Sequence, residues 1–329
     1  MNTVKQHKLL TVEQRKWVCE VLQDKNVVFA SIHGSHLYGL NREGSDIDIK
    51  AVYAPSKHEL LMGEASKTIS KKNDDLDIEI EVKSLTSFLK SCSSCDTNCI
   101  DLLYTGQDMT LMDSSLWEDI KLHRSSLNAK NMKGLIGYIK THTHKYGNKI
   151  ERFDEMKVLL DRLSNVDDIK PLKYSGIPEY IEGRGFKFIR NVMVRTDHEQ
   201  HYIEVCGKKF IMTWESKLLK DALTKEIKRY GKRTMEGSGT GLDTKSLSHA
   251  LRVLLQLKEI LTTGGVTFPL KNAEYLLDVK LGNVTNPDEV LSKIDEEYDT
   301  CMELISNSTF PDEVDISNML DSVSEYYFN

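Results

Sequence analysis

Apolar and polar residues alternate along three short segments in the first third of the chain, and this pattern predicts β-strands. Residues 26–33 form a branched, mostly apolar run, whereas residues 46–52 and 77–82 alternate acidic with aliphatic side chains. Successive side chains of a strand point to opposite faces. The alternating segments therefore predict a sheet with one acidic face and one aliphatic face.

Helical spacing replaces this alternation along most of the remaining chain. A short amphipathic helix is predicted at residues 12–24, and the helical period dominates from about residue 116 to 163 and again from 244 to 262. Glycine and proline interrupt it between residues 171 and 214, where alternating segments predict a small β-rich insertion.

These patterns predict an α+β fold in two parts. Residues 1–112 are expected to form an α/β unit, and residues 113–329 a helical region containing the insertion at about 171–214.

Composition narrows the class of protein. The 329 residues are 40% hydrophobic and 29% charged, typical of a globular chain, and none of its segments has the ~20 apolar residues of a membrane span. The first residues lack the apolar core of a secretory signal, so we expect a cytoplasmic protein with its six cysteines as thiols. That expectation includes Cys92, Cys95 and Cys99, whose spacing superficially suggests a metal site.

The net charge of −6 gives no overall attraction to nucleic acid, so any such contact must involve local basic patches. One candidate patch lies in the predicted insertion and comprises Arg184, Lys187, Arg190, Arg195, Lys208 and Lys209.

Asp46 and Asp48 carry the strongest chemical signal. Two carboxylates at positions i and i+2 of a strand project from the same face, an arrangement that can hold a divalent metal ion. Upstream, Gly34 and Ser35 follow a strand and offer backbone N–H groups and a hydroxyl to phosphate oxygens. Together these features suggest phosphoryl-transfer chemistry.

A third carboxylate is expected from the neighbouring acidic strand. Asp77, Glu79 and Glu81 all occupy its acidic face, and we favour Glu79 because it lies centrally between two isoleucines.

The motif H-G-S-H-L-Y-G at residues 33–39, followed by S-D-I-D at residues 45–48 and a later strand I-E-I, resembles the signature of the DNA polymerase beta superfamily of nucleotidyltransferases. More closely, it is similar to the RNA-repair-associated predicted nucleotidyltransferases of bacteria and phages, called RlaP. The similarity extends to residues 245–252 and to segments near residues 264–270 and 280–282. One departure is Glu79, because the family usually has an aspartate there.

The resemblance implies a core of mixed sheet and flanking helices that uses Mg²⁺ or Mn²⁺. Asp46, Asp48 and Glu79 would be the metal-binding and catalytic residues, and Gly34 and Ser35 would hold the triphosphate of a nucleotide.

A downstream helix offers a second set of candidate nucleotide-binding residues. Lys245, His249, Arg252 and Gln256 share one stripe on a helical wheel, which could reach the triphosphate or lie in solvent as an ordinary polar surface. Tyr38 is also a candidate, either stacked on a substrate with His36 or packed under its own loop.

The sequence therefore predicts a metal-dependent nucleotidyltransferase that moves a nucleoside monophosphate from an NTP such as ATP to an acceptor hydroxyl. An RNA 3′ end, and thus a role in RNA repair, is expected by family association. The alternatives are transfer to a protein or small molecule, and a catalytically silent scaffold that binds nucleotide or a partner. Base preference and oligomeric state are left open.

Overall fold

The computed structural model describes residues 4–65, 68–132, 134–139, 149–195, 199–235, 244–284 and 287–328. Contacts divide the chain into two compact units: Met1–His142 together with Leu247–Asn329, and Thr143–Ser246. The glycine-rich segment 236–241, whose composition predicts a break in the helical periodicity, lies outside the described residues. No helix among the described residues has the length and apolar character that a bilayer span requires.

The first unit contains a five-stranded mixed sheet in the order β3–β4–β2–β1–β5. Strands β2 and β4 run parallel, and the other neighbouring pairs are antiparallel. The strands are β1 (Val27–Ile32), β2 (Ile47–Tyr53), β3 (Thr68–Asn73), β4 (Ile78–Ser84) and β5 (Thr110–Met112).

Helices surround this sheet in the first unit. They are α1 (Val12–Leu22), α2 (Gly34–Tyr38), α3 (Lys57–Leu61), α4 (Leu85–Ser94), α5 (Thr97–Tyr104) and α6 (Ser115–Leu122) before the second unit. After it follow α10 (Thr244–Thr263), α11 (Ala273–Leu281), α12 (Pro287–Asn307) and α13 (Ser317–Phe328). The first three residues of α10 are grouped with the second unit.

The two faces of the five-stranded sheet differ in character. Ile47 and Ile49 of β2 and Ile78 of β4 lie on one face and pack with Val18 and Leu22 of α1 in a buried apolar core. Side chains at the intervening positions, including Asp48 and Glu79, point to the opposite face because neighbours along a strand alternate. The aliphatic residues thus anchor the strands and leave the acidic residues on the other side.

The second unit is a small α+β assembly. Its helices are α7 (Lys149–Ser164), α8 (Ile177–Arg184) and α9 (Ser216–Met235), and its antiparallel sheet contains β6 (Ile189–Arg195), β7 (Glu199–Val205) and β8 (Lys208–Ile211) in that order. Ile189, Ile203 and Val205 are buried in a core with Leu159 and Leu219 of the helices.

The predicted α+β class is confirmed, with a mixed sheet flanked by helices, a small β-rich insertion and helices towards the C-terminus. The capping box of α1 is present, because the Thr11 side chain accepts from the Gln14 backbone and the Gln14 side chain accepts from Thr11.

Three local predictions were wrong or incomplete. Gly34 and Ser35, whose place after a strand suggests a turn, instead begin the short helix α2, which ends where Gly39 adopts a left-handed conformation. Residues 177–184 form helix α8 because Gly176 and Gly185 bracket it and Pro178 occupies its first turn, where a missing N–H costs little. Edge strand β3 was missed because its mostly polar sequence does not alternate and pairing with β4 defines it.

Candidate active site

Asp46, Asp48 and Glu79 form what we call the carboxylate cluster. Asp48 lies on β2 directly beside Glu79 of the parallel strand β4, because the two residues are register partners. Asp46 precedes β2 by one residue, which corrects the prediction that both aspartates lie within the strand. The ladder begins at Ile47, whose backbone N–H donates to the Asp77 carbonyl at 2.9 Å.

The carboxylate cluster is electrostatically unfavourable in the protein alone. Burial raises the pKa of Asp48, and the negative charges of Asp46 and Glu79 raise it further. Lys50 and His36 act in the opposite direction without cancelling the effect. Like charges held close together are relieved when a cation binds among them.

The register also separates the three candidates for the third carboxylate. Glu79 is the partner of Asp48, whereas Glu81 is the partner of Lys50. Asp77 precedes β4 in a turn with a positive φ of 47°. Of the three, Glu79 is the one whose charge acts on Asp48.

Gly34 leaves room for the Asp48 carboxylate. Its φ is +61°, and a Cβ built on it would lie 1.9 Å from Oδ2 of Asp48, well inside van der Waals contact. The adjacent backbone N–H of His33 donates to the Asp48 carbonyl at 2.8 Å. Backbone and carboxylate therefore meet here at a distance that only glycine allows.

Lys50 is the nearest cation along β2. It lies two residues after Asp48 on the same face, and its ammonium donates to the Asn98 side chain of α5. Burial lowers the pKa of Lys50, while the charges of Glu81 and Asp101 oppose that shift. The sequence analysis did not single out Lys50, although the same alternation that paired Asp46 with Asp48 extends to it.

A buried polar network lies behind α2, centred on Asp101 of α5. The Tyr38 hydroxyl donates to one Asp101 oxygen at 2.6 Å, and the Gln256 amide donates to the other at 2.8 Å. Arg252 forms an ion pair with Asp101 at 3.6 Å and donates to the Gln256 side-chain oxygen at 2.9 Å. We call Asp101, Tyr38, Arg252 and Gln256 the Asp101 network.

The Asp101 network joins α2, α5 and α10. The guanidinium of Arg252 lies over the Tyr38 ring, 4.1 Å from its centroid, so the cation is held by an aromatic face as well as by a carboxylate. Burial raises the pKa of Tyr38, which keeps its hydroxyl a donor to Asp101. The network therefore fixes the end of the short helix that begins at Gly34.

His33 lies between the carboxylate cluster and the Asp101 network. It is buried, and its Nε2 atom is 3.9 Å from Asp101. Burial lowers the pKa of His33 well below its usual value, and the charges of Lys50 and Arg252 lower it further. The imidazole is therefore neutral at pH 7.

The structure places the predicted nucleotide-binding residues in different surroundings. Gly34, Ser35 and His36 are half-buried at the start of α2, whereas Tyr38 and Arg252 are buried together in the Asp101 network. His249 is half-buried on α10, and Lys245 is exposed in its first turn. The stripe on α10 is thus not a uniform polar surface.

The donor set suits a magnesium-like ion. Among the described residues, no three His, Cys, Asp or Glu side chains converge as a ready-made metal site. That is compatible with Mg²⁺, which proteins usually hold through one or two carboxylates together with water and substrate phosphates rather than in an all-protein cage. Hard oxygen donors with unrelieved negative charge fit this chemistry.

Cys92, Cys95 and Cys99 belong to the interior of α4 and α5. All three are buried free thiols, and burial raises the pKa of Cys95 to about 12. They pack in the interior, and burial also raises the pKa of the Cys99 thiol.

The part of the chain that contains the carboxylate cluster is similar to a known protein family. Residues 1–94 match the model of the RlaP family, described as the RNA repair pathway DNA polymerase beta family. The match confirms the resemblance predicted from the sequence and includes Gly34, Asp46, Asp48 and Glu79.

A phage protein and a solved structure are also similar to this chain. An uncharacterized 38.9 kDa protein from the nrdC-mobD intergenic region of Enterobacteria phage T4 is 29% identical over 332 residues, which is 91% of this chain and 96% of that protein. A nucleotidyltransferase-like protein from Exiguobacterium sibiricum 255-15 covers 95% of this chain and 77% of its own, with 7% identity and a TM-score of 0.26. A likeness that weak carries no argument about function.

Sequence reasoning missed Asp101, the centre of the network. One signal for it exists: Asp101 is a single acid within the apolar run Ile100–Tyr104, and a carboxylate in such a run is buried only when it is paired.

Proposed function

We propose that the protein is a metal-dependent nucleotidyltransferase that moves a nucleoside monophosphate from an NTP to an acceptor hydroxyl. The proposed acceptor is the 3′ end of an RNA. The observation that carries the proposal is the register pairing of Asp48 with Glu79 beside a glycine that makes room for the Asp48 carboxylate. These residues lie within the part of the chain that matches the polymerase-beta-type family model.

Each residue of the site has a proposed role. Asp46 and Asp48 hold the metal ions, Mg²⁺ or Mn²⁺, and Glu79 completes the set. When bound, the ions neutralise charge on the phosphates and lower the pKa of the attacking hydroxyl. Gly34 and Ser35 bind triphosphate oxygens through a backbone N–H and a hydroxyl.

The transfer step balances as an in-line displacement. The acceptor oxygen forms a bond to the α-phosphorus, and the bond from that phosphorus to the bridging oxygen of the β-phosphate breaks, so pyrophosphate leaves. Glu79, which is exposed, takes the acceptor proton. The Asp101 network holds α2 in place so that Gly34 and Ser35 keep their position relative to Asp48.

The test is a labelling screen on the full-length protein. Every reaction contains the protein, Mg²⁺ and one α-labelled NTP. Single-stranded RNA, DNA, a protein pool or no acceptor is then added in separate reactions. We expect label on the RNA 3′ end and free pyrophosphate, with the double variant Asp46→Asn, Asp48→Asn inactive. Label in the protein pool would assign a protein acceptor instead, and equal labelling by the double variant would exclude this site.

A further inference from the structure

The small sheet of the second unit has one uncovered side, which we call the outer face. Its central residues lie in two cross-strand rows, Arg190–Glu204–Lys209 and Val192–Tyr202–Ile211, because these are register partners in β6, β7 and β8. The intervening residues Ile189, Ile203 and Val205 point the other way and are buried against the helices. The outer face is therefore the side of the sheet that the helices of this unit leave open.

Charge distinguishes the second unit from the rest of the chain. Thr143–Ser246 contains 21 Lys and Arg against 16 Asp and Glu, a formal charge of +5. The remaining residues contain 23 against 34, a formal charge of −11. A polyanion is repelled by the first unit on average and attracted by the second.

The outer face combines cations with an aromatic ring. The Arg190 side chain is 70% exposed, and Lys209 is exposed in the same row. Glu204 lies between them and pairs with Arg190 at 3.1 Å, so the row keeps one uncompensated positive charge. In the next row, Tyr202 is half-buried between Val192 and Ile211.

Tyr202 forms a hydrogen bond along its own strand. Its hydroxyl donates to the Gln200 side chain at 2.7 Å, two residues away on the same strand and face. The bond holds the hydroxyl, and the residue lies in the row between Val192 and Ile211.

We propose that the outer face binds a single-stranded polynucleotide, with a base stacked on Tyr202 and phosphates contacted by Arg190 and Lys209. An antiparallel sheet that presents an aromatic ring among cations is an arrangement that stacks unpaired bases, whereas a duplex keeps its bases out of reach. The inference rests on the proposed function in one respect, because the strand that binds here is taken to be the nucleotide acceptor.

The lysines of β8 provide a matched test. Lys208 and Lys209 are neighbours, but Lys208 points to the other side and forms an ion pair with Glu226 of α9. Binding of a fluorescent single-stranded RNA of about 12 nucleotides to the full-length protein is measured by anisotropy between about 50 and 200 mM salt.

Lys209→Gln should weaken binding and reduce the slope of log K against log salt by about 0.7, the value for one phosphate contact on a single strand. Arg190→Gln should weaken binding more, because it also leaves Glu204 unpaired on the outer face. Lys208→Gln changes the net charge equally and removes the ion pair with Glu226, yet it should alter affinity by no more than about twofold.

Tyr202→Leu keeps an apolar side chain but removes the ring, and it should weaken binding by about 5- to 150-fold, the range for losing one stacked base. Single-stranded DNA should compete with the RNA, and duplex RNA should not. Equal losses in Lys208→Gln and Lys209→Gln, or duplex binding as tight as single-strand binding, would overturn the proposal.

The two proposals can fail separately. The double variant Asp46→Asn, Asp48→Asn should bind RNA like the wild type while it transfers no label. If the wild-type protein binds RNA as predicted but transfers no label, the proposed function alone is contradicted. Label transfer to RNA with unchanged binding by Tyr202→Leu and Lys209→Gln would contradict the outer-face proposal alone.

Discussion

Asp48 and Asp101 are two carboxylates in neighbouring parts of one unit with opposite surroundings. Asp101 is buried and accepts from Tyr38 and Gln256 beside the Arg252 guanidinium. Burial raises the pKa of Asp48, and the charges of Asp46 and Glu79 beside it raise it further. The difference separates two uses of a carboxylate: Asp101 joins helices through its partners, whereas Asp48, in the site proposed above, would bind a cation.

The largest expected effect is on the rate of nucleotidyl transfer, and it distinguishes Asp48 from Asp101. Asp48→Asn should reduce nucleotidyl transfer by about 10³-fold or more, because it removes a charged ligand at the reacting phosphates. In metal-free buffer at pH 7 the melting temperature should stay the same or rise, because a like-charge repulsion is removed. Transfer rate and Tm are measured together, with the exposed Asp24→Asn as the control.

The comparison breaks if Asp48→Asn unfolds the protein. A large fall in Tm would mean that Asp48 is a structural carboxylate like Asp101.

Asp101→Ala should have the largest effect on stability. Removing one partner of a buried ion pair leaves Arg252 uncompensated, and we expect a loss of about 3–5 kcal/mol in the free energy of unfolding. Replacing both charges by apolar residues, as Asp101→Leu with Arg252→Met, should recover about 2 kcal/mol or more of that loss. Urea unfolding measures both, and a double variant no more stable than Asp101→Ala would contradict the pairing.

Gly34→Ala tests whether nucleotidyl transfer needs the close approach of the Gly34 backbone to the Asp48 carboxylate. The new Cβ would displace the Asp48 carboxylate, and a misplacement of about 1 Å should cost about 100-fold in transfer rate. Gly44→Ala is the matched control, because Gly44 also has a positive φ, +75°, but nothing lies within 4 Å of its Cβ position. Both variants should lose about 1–2 kcal/mol of stability from the left-handed backbone.

If Gly44→Ala reduced transfer as much as Gly34→Ala, strain rather than contact with Asp48 would explain the effect.

The smallest effect concerns His33, which lies next to the Asp101 network. Its pKa is lowered in the folded protein, so the unfolded chain binds more protons and stability falls as pH drops below about 6.5. One such group contributes a slope of at most about 1.4 kcal/mol per pH unit. His33→Gln should flatten the profile of unfolding free energy between pH 7 and pH 5 by up to that slope, whereas the exposed His58→Gln should not.

Strands β2 and β4 and the acidic residues of the carboxylate cluster could be predicted, because short stretches of sequence encode them. Strands β2 and β4 alternate acids with isoleucines within seven residues each, so the acidic face follows from the sequence itself. The pairing of Asp48 with Glu79 needed the register of two parallel strands, which neither strand encodes alone.

The Asp101 network could not be predicted in the same way. Its members lie on α2, α5 and α10, and a helical wheel of α10 shows Arg252 and Gln256 only as polar residues on one stripe. Whether such a stripe contacts solvent, substrate or a buried carboxylate depends on what packs against it. Here the stripe contacts the buried carboxylate of Asp101, which is 155 residues from Gln256 in the sequence.

That separation has a consequence for synthesis of the chain. At about 5–20 residues per second, a ribosome needs roughly 8–30 seconds to proceed from Asp101 to Gln256. During this interval the nascent protein already contains the carboxylate cluster but lacks the guanidinium and amide that hold Asp101. The turn of α2 is therefore locked into place late in translation, after the entire second unit has been made.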